Sequence, residues 1–94
     1  MIRVIIERSI AETLEIHYEN ISKETLQLAI RSPGFISGES LKDIQNPRHH
    51  ILLCKWRSVE DWQLWVESPE RKAMMSKLNI LFDQEEKITL LETL

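Results

Sequence analysis

QNPRHHILLCKW, residues 45–56, reads as a turn running into a strand, and its reading decides the fold. Asn46-Pro47 is turn chemistry. From His50 onward the residues alternate, with Leu52, Cys54 and Trp56 on one side and Ile51, Leu53 and Lys55 on the other. Just upstream, GFISGESLKDI (residues 34–44) also alternates at short range, and Gly38 inside it signals a bulge or a close approach by another group. Two extended runs joined by so short a turn are predicted to pair as an antiparallel hairpin.

Upstream lies MIRVIIER (residues 1–8), short and β-branched, a predicted strand apolar on much of both faces. Ser9 offers an N-cap and Glu12 the reciprocal half of a capping box. Leu14, Tyr18, Ile21, Thr25 and Leu28 then form one helical stripe, which predicts a helix from about Ala11 to Arg31. Pro33 disfavours its continuation. Downstream, Ser58 is a predicted N-cap paired with Asp61, and a helix carrying Trp62, Trp65 and Val66 stops near Ser68. Ser68-Pro69-Glu70 restarts a helix, because proline is tolerated at the first turn. Ala73, Met74, Leu78 and Leu81 are its expected buried stripe. EEKITLLETL (residues 85–94) closes the chain as a strand with Ile88, Leu90 and Glu92 on one face. A central hairpin flanked by two strand–helix units gives the order βαββαβ. The expected class is therefore α+β, a ferredoxin-like split βαβ with both helices on one face of a four-stranded antiparallel sheet.

Ninety-four residues make one domain, 1–94, with a modest core. The net charge of -3 is spread along the chain, which argues against nucleic acid and against a polybasic membrane contact. No apolar run approaches the ~20 residues that span a bilayer. The single cysteine, Cys54, requires no oxidising compartment, and no leader-like cleavage site follows the first residues, so the expected address is the cytoplasm. A domain of this size, with sheet faces rich in Ile, Leu and Phe, is expected to complete its burial as a homodimer.

Chemistry is sparse in the sequence. It holds no glycine-rich phosphate loop, no zinc-spaced Cys/His pair and no nucleophile elbow, so neither a cofactor nor a metal is expected. His49 and His50 are adjacent on a strand and point to opposite faces, as turn-flanking polar residues. Cys54, among Leu52, Leu53 and Trp56, is expected to be a packed apolar thiol. His17 and Tyr18 sit at one helix stripe, from which an imidazole or a hydroxyl facing the sheet can serve a pocket. Trp62 and Trp65, at i and i+3, share a face near Trp56. Aromatics so spaced are ordinarily core or interface. A pocket reading needs a cavity between sheet and helices, walled by indoles and floored around Gly38.

Taken together, a first strand ending in ER, then PGFISGESL (residues 33–41), KWRS (residues 55–58) and EDWQLWVESPER (residues 60–71), resembles the antibiotic biosynthesis monooxygenase domain family. The resemblance runs from Ile2 to about Glu92. It implies a dimeric α+β barrel, in which two such sheets pack together. Some members of that family are cofactor-independent monooxygenases of aromatic polyketides or quinols, and others break down haem. The haem-degrading branch uses an asparagine on the first strand, a tryptophan on the second helix and a histidine ten residues later. Those positions fall on Glu7, Trp65 and Met75, so haem degradation is disfavoured.

Two readings follow. The first is an oxygenase acting on a small planar aromatic or quinol, with Trp65 shaping the pocket and Tyr18, His17 or Glu7 binding or deprotonating a phenolic hydroxyl. The second is a non-catalytic dimer that binds a small apolar ligand or serves as a structural domain.

Overall fold

The computed structural model describes all of residues 1–94. Strand β1 is Ile2–Ser9, helix α1 Glu15–Ile30, β2 Phe35–Lys42, β3 His49–Trp56, α2 Val59–Glu67, α3 Pro69–Leu78 and β4 Lys87–Glu92, with a 3-10 turn over Asn79–Leu81. The four strands form one antiparallel sheet in the order β2-β3-β1-β4. This is the ferredoxin-like α+β arrangement that the central hairpin demanded. The second helical unit is two helices, α2 and α3. Ser68 ends the first, and its hydroxyl accepts from the Arg71 amide to begin the second, with Pro69 behind it. Ser58 caps α2 likewise, accepting from the Asp61 amide at 3.1 Å.

The first helix departs from expectation at its start. Ser9 is the last residue of β1, paired with His49, and Ile10 bridges to Phe82, so Ser9 caps nothing. Helix α1 begins at Glu15 behind Leu14, which makes no side-chain cap, and Thr13 takes a left-handed φ of 71° to turn the chain. Ladder bonds such as the one from the Ile10 amide to the Arg48 carbonyl, at 2.8 Å, satisfy the backbone better than one capping bond would.

Two smaller differences have equally local causes. The β2 irregularity lies between Phe35 and Ser37, ahead of Gly38. Gly38 instead marks a close approach: a Cβ there would stand 3.1 Å from the Phe35 ring and 3.2 Å from Leu26. In α3 the buried positions are Arg71, Met75 and Leu78, whereas Ala73 is exposed and Met74 half-buried. The break at Ser68 resets the helical phase, so the stripe starts from Arg71.

The helices cover the sheet face that carries Ile2, Val4 and Ile6 of β1 and Leu52, Cys54 and Trp56 of β3. Trp62 and Trp65 pack there on Trp56, the first edge-on at 5.8 Å and the second stacked at 6.3 Å. A second core cluster of Ile10, Tyr18, Met75, Leu78 and Leu81 fills the other end of the helix layer. The opposite sheet face is open, with Ile5, Ile51 and Leu53 half-buried and Leu41 and Leu91 42% and 43% exposed.

Candidate active site

Helix α1 turns Tyr18, Ser22, Thr25 and Ala29 toward the sheet, at steps of four, three and four. On β3, His50 has the same parity as Leu52, Cys54 and Trp56, so its imidazole also faces the helices. Where these meet, between α1 and the β2–β3 end of the sheet, is a cavity of about 220 Å³. Tyr18, Ser22 and His50 form its buried wall, and Glu19, Lys23, Ser40, Leu41 and Lys42 surround its mouth.

Two polar atoms on that wall have no hydrogen-bond partner within the protein: Ser22 Oγ and His50 Nε2. Each residue is more than nine-tenths buried. A buried polar group left unpaired costs about 1–3 kcal/mol, so one cavity holding two calls for a reason. Thr25, one turn further along α1, shows the usual solution, its hydroxyl donating to the Ile21 carbonyl at 2.9 Å. Burial lowers the His50 pKa from its ordinary 6.5, against a smaller opposing pull from the Pro47 backbone carbonyl. The ring is therefore neutral at neutral pH, and Nε2 is open to a ligand.

Tyr18 is held from behind. Arg8 Nη1 donates to its hydroxyl oxygen at 3.1 Å, and the guanidinium also lies 5.7 Å from the Tyr18 ring centroid. A guanidinium has donors only, so Tyr18 oxygen must accept, and its own proton remains available. Arg8 also bonds Glu86 at 2.7 Å and directs Nη2 toward Met75 sulfur at 3.8 Å. Arg71 reaches the other Glu86 oxygen at 3.4 Å. One carboxylate thus sits between two buried guanidiniums, leaving a net positive charge behind the phenol.

The residues expected from the sequence are dispersed. Tyr18 lines the cavity. His17, its neighbour, is exposed on α1. Glu7 points to the open sheet face, with its carboxylate 3.5 Å from His49 Nε2 and 3.9 Å from Lys87 Nζ. Trp65 belongs to the first core cluster and borders a separate groove of about 410 Å³ between the end of α1 and α2–α3, bounded also by Leu28, Arg31 and Asp61. His50, expected as a turn-flanking polar residue, is instead buried in the cavity wall, and the sequence assigned no role to Ser22 or Arg8. Each carried a legible signal: His50 continues the buried parity of β3, Ser22 lies four residues after Tyr18, and Arg8 lies two after Ile6. A larger recess of about 610 Å³ beside Arg71, Met75 and Phe82 is shallow and walled by Asp83, Glu85 and Glu86. It has no unpaired buried polar atom, so the smaller cavity is the better site. Cys54 is buried in the core, and burial pushes its thiol up to about 11. No three His, Cys, Asp or Glu side chains converge as a metal-binding set.

Comparison with known proteins places this geometry in context. The family model described as antibiotic biosynthesis monooxygenase matches residues 1–77. No curated protein sequence matches significantly. A conserved protein from Methanosarcina mazei Go1 has the same fold, with a TM-score of 0.92 at 19% identity, over 97% of this chain and 90% of its own. A solved antibiotic biosynthesis monooxygenase superimposes with a TM-score of 0.92 at 14% identity, over 100% of this chain and 99% of its own. SnoaB, a cofactor-independent oxygenase from Streptomyces nogalater, gives 0.89 at 13% identity, over 98% and 91%.

Proposed function

Because the chain belongs to the antibiotic biosynthesis monooxygenase family, we propose that it oxidises a small planar aromatic or quinol with molecular oxygen in the cavity between α1 and the sheet. The observation that carries this reading is the buried wall where Tyr18 and a neutral, unpartnered His50 stand together. His50 Nε2 accepts the proton of a phenolic hydroxyl, in the tautomer that keeps the ring proton on Nδ1. The phenolate is a stronger electron donor than the phenol, and the buried Arg8 charge behind Tyr18 favours the anion. The substrate ring reduces oxygen itself: one oxygen atom is inserted at a ring C–H as a hydroxyl, the second leaves as water with the two hydrogens the quinol gives up, and the product is a hydroxyquinone. A ring that supplies its own electrons needs no flavin from the protein, and SnoaB, which shares this fold, is a cofactor-independent oxygenase.

Of the residues expected to act, this reading keeps Tyr18 at the substrate and gives Trp65 the task of holding Trp56 and α2 in place. We also read the protein as a cytoplasmic homodimer. No helix is long and apolar enough to cross a membrane, and the apolar open face of the sheet is suited to a second copy. Oxygen uptake by purified protein with a panel of single-ring quinols tests the activity. Turnover that falls at least tenfold in His50→Gln supports it. Uptake no faster than the spontaneous oxidation of the quinols, or undiminished in His50→Gln, overturns it and leaves a binding domain.

A further inference from the structure

We infer that the α1–sheet cavity selects a single-ring hydroxyarene bearing an anionic substituent, a dihydroxybenzoate-like compound, over a neutral quinol or a fused-ring polyketide. This names the substrate class of the site proposed above and rests on that reading.

Size comes first. An engineered apolar cavity of about 150 Å³ takes benzene, whereas drug-sized ligands occupy roughly 300–1,000 Å³. At about 220 Å³ this cavity has space for one substituted ring. Polarity comes next. Ser22 Oγ and His50 Nε2 are both buried and unpartnered, so the ligand that satisfies them carries at least one hydroxyl hydrogen for His50 and one further oxygen or hydroxyl for Ser22. That is the pattern of a dihydroxyarene. Charge decides the remaining substituent. Lys42 lies opposite His50 in the β2–β3 ladder, Lys23 lies one residue past Ser22, and Glu19 is the single acidic residue at the mouth. The residues lining the rim therefore carry one net positive charge. Glu15, one turn before Glu19 on α1, acts on His50 from outside the lining, so the selection rests on direct contact with the two lysines rather than on the surrounding field. With the ring hydroxyls at the buried wall, a carboxylate on the ring comes to lie at this rim.

Calorimetric titration of the whole protein under anaerobic conditions tests the inference without relying on turnover. A dihydroxybenzoate is expected to bind about tenfold more tightly than hydroquinone, two screened charge contacts each contributing a few-fold. Lys23→Met/Lys42→Met is expected to bring the acid-to-hydroquinone affinity ratio from about ten down to about one. A dihydroxynaphthoate is expected to bind more weakly than the single-ring acid. Equal binding of acid and hydroquinone, a preference that survives loss of both lysines, or tighter binding of the fused ring overturns it. Oxygen uptake then separates the two readings. Hydroquinone turnover without acid preference sinks this inference alone, whereas acid-selective binding without oxygen uptake sinks the oxygenase alone.

Discussion

The Tyr18 ring meets the His50 imidazole edge-on, with centroids 4.8 Å apart and planes at 64°, across the junction of α1 and β3. The contact joins a phenol held by a buried guanidinium to an imidazole that burial keeps neutral. Neither residue is close to the other in sequence, and neither is in the tryptophan cluster of the main core.

Ser22→Ala is expected to leave the free protein as stable as the parent or about 1 kcal/mol more stable, because it removes a buried hydroxyl that bonds nothing. The same change is expected to weaken binding of a dihydroxyarene several-fold. Thermal melts with and without ligand measure both effects. Marked destabilisation of the free protein would show that Ser22 has a structural partner.

The folded His50 pKa lies below the unfolded value of 6.5, so protons favour the unfolded chain. The stability held with a neutral ring is complete above about pH 6.5 and is lost as pH falls through the folded pKa. Melting temperature should therefore drop on acidification below pH 6.5, and less steeply in His50→Gln. Oxygen uptake should fall over the same acid range, since the imidazolium is no base. Parallel melting curves for parent and variant would remove His50 from the account.

Arg8→Met leaves Glu86 without its main buried partner and is expected to cost about 3–5 kcal/mol. Arg8→Met/Glu86→Gln should recover much of that loss, because no buried carboxylate is then left facing only Arg71 at 3.4 Å. Denaturant titrations of parent, single variants and double variant give the coupling. Additive effects would mean that the pair is not coupled as the 2.7 Å contact implies.

Gly34→Ala is expected to destabilise by about 1–3 kcal/mol. Its φ of 86° is left-handed, and an added Cβ would collide with the Asp61 side chain, which bonds both Arg57 and Ser58. The Arg57 guanidinium beside Asp61 also holds that carboxyl below the usual range, so the collision would disturb a paired charge. Urea denaturation measures the cost, and a neutral result would show that the Ser32–Phe35 turn relaxes freely.

Leu53→Lys places a charge at the centre of the open sheet face. Light scattering of the parent should give about twice 11.1 kDa and that of the variant about 11.1 kDa, with the helix-side core intact by circular dichroism. A monomeric parent, or a variant that remains dimeric, would move the interface elsewhere.

The order of elements was legible in the chain because period and punctuation are local properties. Alternation from His50 to Trp56, the turn at Asn46-Pro47 and the serine caps at Ser58 and Ser68 each depend on neighbours only a few residues away. Those signals were enough for a split βαβ sheet, while the family resemblance rested on the particular stretches PGFISGESL, KWRS and EDWQLWVESPER. The same local rule misled at Ser9, where a valid capping box lost to ladder pairing with a strand forty residues later. The cavity depended on long-range geometry. Period assigned His50 and Tyr18 to faces, but only the β1–β3 register, with Arg8 opposite His50, and the seat of α1 above it brought Tyr18, Ser22, His50 and Arg8 together. Trp65 drew attention by size, yet size reports burial, and burial took it into the core beside Trp56. A sequence states which face a residue occupies, while only the packed chain decides which faces meet.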